Sequence, residues 1–147
     1  MPEMKTRPPL DELRRIYADT KTIAVVGASP DTTKRAQVVP SYLQDQGYRI
    51  IPVNPRHDEI FGEKAYPTLL EIPEQVDVVD VFRPAEETPA IAANAVEIGA
   101  KVLWLQLGII SEEAAQIAAD GGLTVVMDHC MGLMHLKLGL GEGPDHH

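Results

Sequence analysis

With 147 residues, 44% of them hydrophobic and 24% charged, the chain has the size and balance of one globular domain. Its net charge of -9 argues against generic nucleic-acid binding, which needs clustered Lys and Arg, and its single cysteine, Cys130, excludes an internal disulfide framework and a multi-cysteine zinc site. No apolar run reaches the roughly 18 residues of a membrane span, and the N-terminal MPEMKTRPPLDELRR lacks the apolar core of a signal peptide, so a cytoplasmic protein without membrane association is expected.

The first element is a short helix in PPLDELRRIYADT, where Leu10, Leu13, Ile16 and Tyr17 fall at helical spacing and Asp11 and Glu12 lie early, as a helix N-terminus prefers. TIAVVG (22–27) is then an apolar, β-branched run ending in glycine, and RIIPVNP (49–55), VDVVDVF (76–82), KVLWLQLG (101–108) and LTVVMD (123–128) repeat that pattern. Between these strands lie helical segments at 36–47, 85–99 and 111–122, the last two opening on acidic residues and stopping at glycine. Pro89, near the start of its helix, is harmless; Pro40 removes a backbone bond and predicts a kink or a late helix start. Residues 56–75 read mostly as loop, with one helical turn at Leu69. Strands apolar at nearly every position are buried on both faces. The alternation therefore predicts one α/β domain over 1–147, ordered at about 10–138, with a doubly wound (Rossmann-like), five-stranded parallel sheet and helices on both faces.

In such sheets ligands bind at the carboxyl ends of the strands where the strand order reverses, and the first strand-to-helix turn faces that crevice. Here that turn is Gly27 to Arg35. A dinucleotide fingerprint starting at Gly27 requires glycine at positions 29 and 32, which hold Ser29 and Thr32, and no Walker lysine motif is present. What remains is a tight turn at Gly27, small residues at Ala28 and Ser29 that let backbone N–H groups approach a phosphate, and the cations Lys34 and Arg35. Two cations at a helix N-terminus oppose its dipole, an arrangement that makes sense with an anion between them.

Five stretches in compact order, VVGASPDTTKRA, YLQDQGYRIIPVNP, AYPTLLEIPEQVDVVDVFRPAEE, IGAKVLWLQLGI and GLTVVMDHCMG, resemble the CoA-binding domain family, stand-alone relatives of the N-terminal domain of the succinyl-CoA synthetase α subunit. The resemblance spans residues of about 10–138. It implies a site for coenzyme A or an acyl-CoA with the pyrophosphate on Gly27, Ala28 and Ser29, Lys34 or Arg35 nearby, and the adenosine end running past Val53, Asn54 and Arg56. It also implies that Phe82, Arg83 and Pro84, then Gln106, Leu107 and Gly108, line the remainder of the groove. The synthetase's phosphorylated histidine lies in a second domain absent from this chain, so binding without ligase chemistry is expected. The ending DHCMGLMH departs from the family pattern, in which an acidic residue and a histidine follow a DRC-like segment.

Other chemistry finds less support. Cys130 and His129 are adjacent on an extended chain and point opposite ways, which reads as a packed thiol rather than a nucleophile pair. Cys130, Met131, Met134 and His135 have soft-ligand types, but Met and Leu at this spacing pack a terminal helix, and no metal site is expected. Asp77, Asp80 and Asp128 form no spacing that dictates acid–base work, so no catalytic residue is assigned. The alternatives kept are an NAD(P)-binding oxidoreductase and a regulatory nucleotide- or redox-sensing module. An NAD site would place an acid at the end of the second strand; Asn54 and Arg56 stand there instead, which favours a phosphorylated ribose.

Overall fold

The computed structural model describes residues 6–141. Helix α1 (Leu10–Asp19) leads into β1 (Thr22–Val26), α2 (Arg35–Asp45) and β2 (Arg49–Val53). A small hairpin, β3 (Glu59–Ile60) and β4 (Glu63–Lys64), and a 3-10 turn (Leu69–Glu71) precede β5 (Val78–Val81). A second 3-10 turn (Ala85–Glu87) enters α3 (Thr88–Glu97), followed by β6 (Val102–Leu105), α4 (Glu112–Asp120), β7 (Thr124–Val126) and α5 (Met131–Lys137). The main sheet is parallel throughout and ordered β2-β1-β5-β6-β7. The chain winds outward from β1 to β2, crosses back over β1 to β5, and winds outward the other way, so the order reverses between β1 and β5.

Alternate strand residues feed two cores. Ile23, Val25, Ile50, Val78, Trp104 and Val126 meet Leu13, Tyr17, Leu43 and Met131 of α1, α2 and α5 on one face. Ala24, Val26, Val79, Val81, Leu103 and Val125 meet the alanine-rich faces of α3 and α4 on the other. Each buried Val, Ile or Leu contributes about 1.5–3 kcal/mol of transfer free energy. The contacts on the second face are close: a Cβ on Gly121 would lie 2.5 Å from the Val96 side chain, so a larger residue at the end of α4 requires Val96 to move. Among the described residues no helix is long and apolar enough to cross a membrane.

Several sequence expectations change in detail. Leu10 starts α1 but stays exposed, leaving Leu13, Ile16 and Tyr17 as the buried stripe. Pro40 does not delay α2; it sits inside the helix. The Ala36 carbonyl, which a residue-40 amide would otherwise engage, accepts from the Ser29 N–H at 3.2 Å. The helix expected at 85–99 divides into the 3-10 turn and α3, with Pro89 in the first turn of α3. The loop at 56–75 contains the hairpin, whose return brings Tyr66 beside Val53 and extends the edge of the sheet.

Candidate functional site

The exit of β1 is built around Gly27, whose φ of +88° suits glycine and whose missing side chain lets β5 approach: a Cβ would lie 2.8 Å from Arg83 Cδ and 3.1 Å from the Phe82 carbonyl oxygen. Gly27 N–H donates to the Val53 carbonyl at 3.0 Å. Asn54 then ties the β1 and β2 exits together. Its Nδ2 donates to the Ala28 carbonyl at 2.9 Å and its Oδ1 accepts from the Arg56 N–H at 2.8 Å, while its own N–H donates to the Tyr66 carbonyl at 2.9 Å. With both ends of its amide engaged, Asn54 shapes the wall.

The turn before α2 is organised by Asp31. Its Oδ1 accepts from the Thr33 N–H at 2.9 Å and the Thr33 hydroxyl at 2.6 Å, and these bonds hold its carboxyl below the usual carboxylate range. Asp31 N–H donates to Ser29 Oγ at 3.1 Å and Lys34 N–H to the Asp31 carbonyl at 3.0 Å. Of the Ala28 and Ser29 amides expected to approach a phosphate, that of Ser29 is directed to the Ala36 carbonyl, as the Gly27 amide is to that of Val53.

These exits enclose a cleft of about 660 Å³ at the reversal point of the sheet. Gly27, Ala28, Ser29, Lys34, Val53, Asn54, Arg56, Phe82 and Arg83 line it, as do Val26, Ala36, Pro55, His57, Pro67, Thr68, Leu69, Glu87, Ile91 and Asn94. Its volume is that of a small-molecule pocket. Lys34, Arg56 and Arg83 give it positive charge within a chain of net charge -9, and Glu87 is the one acid in the wall. Arg83 donates to Glu87 through both sides of its fork, Nε to Oε1 at 3.1 Å and Nη2 to Oε2 at 2.7 Å, and this contact holds the Glu87 carboxyl below its usual range.

The other site candidates lie elsewhere. Arg35 and Pro84 are exposed outside the cleft wall, the first because α2 already begins there and turns it to solvent, the second because the chain bends into the 3-10 turn. Gln106 is buried, its Nε2 donating to Asp80 Oδ1 at 2.7 Å and its Oε1 accepting from the Met131 N–H at 3.3 Å, so it braces the start of α5. Gly108 N–H donates to Asp128 Oδ1 at 2.7 Å, a bond that lowers the Asp128 pKa together with Arg7. Leu107 is exposed beside it. Neither Gly108 nor Leu107 reaches the cleft, because β6 and β7 lie on the far side of β5 from β1.

Wall residues missed in the sequence had weak signals. Glu87, at the end of the 3-10 turn, and Ile91 and Asn94 of α3 follow helical spacing, which periodicity alone would have grouped. Pro67, Thr68 and Leu69 enter only because the hairpin folds back along β2. Asp80 is fully buried on β5, with Oδ2 unpartnered among the described residues, and burial raises its pKa to about 8 against the opposing effect of the Gln106 hydrogen bond. Cys130 is buried and outside the cleft wall.

Compared with known proteins, residues 21–136 match the family model described as CoA binding domain. The chain belongs to the CoA binding domain family. Over 124 residues this CoA binding domain is 43% identical to uncharacterized protein YneT of Bacillus subtilis, covering 84% of this chain and 92% of that protein. It is 27% identical over 130 residues to acetate–CoA ligase [ADP-forming] I of Archaeoglobus fulgidus, covering 82% of this chain but 19% of the ligase. A solved structure of a hypothetical protein from Pyrococcus horikoshii OT3 superposes with a TM-score of 0.89 at 38% identity, covering 96% of this chain and all of that one. Family membership and the parallel five-stranded fold therefore agree with the sequence resemblance.

Proposed function

We propose that this chain binds coenzyme A or a short acyl-CoA in the cleft at the carboxyl ends of β1, β2 and β5, as a binding protein without ligase turnover. The observation that carries this reading is the concentration of Lys34, Arg56 and Arg83 around a cleft of about 660 Å³ in an otherwise acidic chain. CoA matches that wall in kind: phosphates for the cations, and an adenine and pantetheine chain for Val26, Val53, Leu69 and Ile91. Arg56, whose side chain makes no hydrogen bond among the described residues, stands at the β2 exit for the 3′-phosphate, while Lys34 and Arg83 flank the Gly27 turn for the pyrophosphate. Within the wall Glu87 is the one carboxylate, and it is engaged by Arg83. That supports binding over chemistry.

Native mass spectrometry of the purified chain, with and without added CoA, acetyl-CoA and NADP, tests the reading. A retained or added mass of one CoA-type ligand is expected. Retention of NADP in preference to CoA would transfer the site to an oxidoreductase.

A further inference from the structure

Within the cleft, the cations are not equivalent. Lys34 and Arg56 have no ion-pair partner among the described residues, whereas Arg83 is occupied by Glu87 through two charge-assisted hydrogen bonds of 3.1 and 2.7 Å. The Arg83 side chain lies against Gly27, the residue whose missing Cβ makes room for it, so the guanidinium is held at the mouth of the β1 turn. Glu87, at the end of the 3-10 turn that opens α3, presents two oxygens to the fork in the way a phosphate group would. Both side chains are close to half exposed, so the pair is screened by water and weakly held.

Resting on the reading of the cleft as a CoA site, we propose that Glu87 is an internal counter-ion that occupies Arg83 while the cleft is empty and is exchanged for the ligand's pyrophosphate, so that Glu87 sets the affinity of the site. Three features make exchange the natural consequence of this geometry. Glu87 is the one carboxylate in a wall otherwise bearing positive charge, so an arriving diphosphate meets it as the only like charge. The pair is local, four residues apart along the chain, so Arg83 can change partners by rotating its side chain without moving β5 or α3. The bidentate geometry also keeps the guanidinium in a defined place at the cleft, which limits the ordering that binding must still supply.

Calorimetric titration of wild type, Glu87→Gln and Arg83→Gln with CoA and with dephospho-CoA decides the matter. Both side chains are exposed, and matched thermal unfolding midpoints serve as the folding control. Glu87→Gln should bind both ligands about 3- to 10-fold tighter, because it frees Arg83 and removes the like charge, whereas Arg83→Gln should weaken both by about 10-fold. Equal or weaker binding by Glu87→Gln, with wild type binding normally, would show that Glu87 orients Arg83 for the ligand and would overturn the exchange alone. A gain confined to CoA would place Glu87 against the 3′-phosphate and also overturn it. No binding by wild type would instead remove the reading of the cleft, and the exchange with it.

Discussion

Asp80 offers a test of how the core is balanced. It lies on β5 between Val25 of β1 and Trp104 of β6, fully buried, with Oδ1 bonded to Gln106 and Oδ2 unpartnered among the described residues. Burial lifts its pKa from 3.8 to about 8, so the folded chain carries a neutral carboxyl at neutral pH and folding takes up a proton. Because the folded value lies above the unfolded one, the contribution to stability is full below about pH 3.8, is lost progressively as pH rises, and levels off above about pH 8. Asp80→Asn keeps the shape and the acceptor for Gln106 and removes the titration. From about pH 5 to about pH 8 the wild type should lose about 3–4 kcal/mol relative to this variant, the integral of roughly 1.4 kcal/mol per pH unit. Urea unfolding of both proteins across that range measures the difference, in which groups titrating alike in both, such as His135 with its burial-lowered pKa, cancel. A stability difference that does not change with pH would refute the argument, because it would mean that Asp80 folds in the same protonation state it has in the unfolded chain.

Two further outcomes follow from the cleft. Arg56→Glu should weaken CoA by about 1.5–3 kcal/mol, the range of a charge-assisted hydrogen bond, and leave dephospho-CoA nearly unchanged; equal losses for both ligands in calorimetry would detach Arg56 from the 3′-phosphate. Gly27→Ala forces a Cβ to 2.8 Å from Arg83 at a φ of +88°, and should cost about 1–3 kcal/mol in urea unfolding, with wild-type stability as the contradicting result.

The fold was legible because its signals are repeated and local. Five apolar runs ending near glycine or proline, alternating with helical segments, leave a doubly wound parallel sheet as the consistent arrangement, and the 3-10 turn at Leu69 also matched. The hairpin did not show because Glu59–Ile60 and Glu63–Lys64 are two residues each, too short for a period-2 pattern. Residues immediately after β1, β2 and β5 can be placed from the crevice rule, and Gly27, Asn54, Arg56 and Arg83, named on that ground, do line the cleft. The same rule overreached at Gln106 and Gly108, since it marks every strand end, whereas the cleft occupies only the ends next to the reversal between β1 and β5. Partnerships such as the Ser29 N–H with the Ala36 carbonyl and Arg83 with Glu87 depend on Pro40 lying inside α2 and on the 3-10 turn, neither of which residue types alone specify.

Isothermal titration of the chain with CoA tests most directly whether the cleft at the β1, β2 and β5 ends holds CoA. One CoA per chain with a dissociation constant in the micromolar range, about -8 kcal/mol, is the predicted result, since a pyrophosphate contact and an adenine pocket form a modest contact set. No heat at about millimolar CoA, together with an unchanged thermal midpoint, would contradict it.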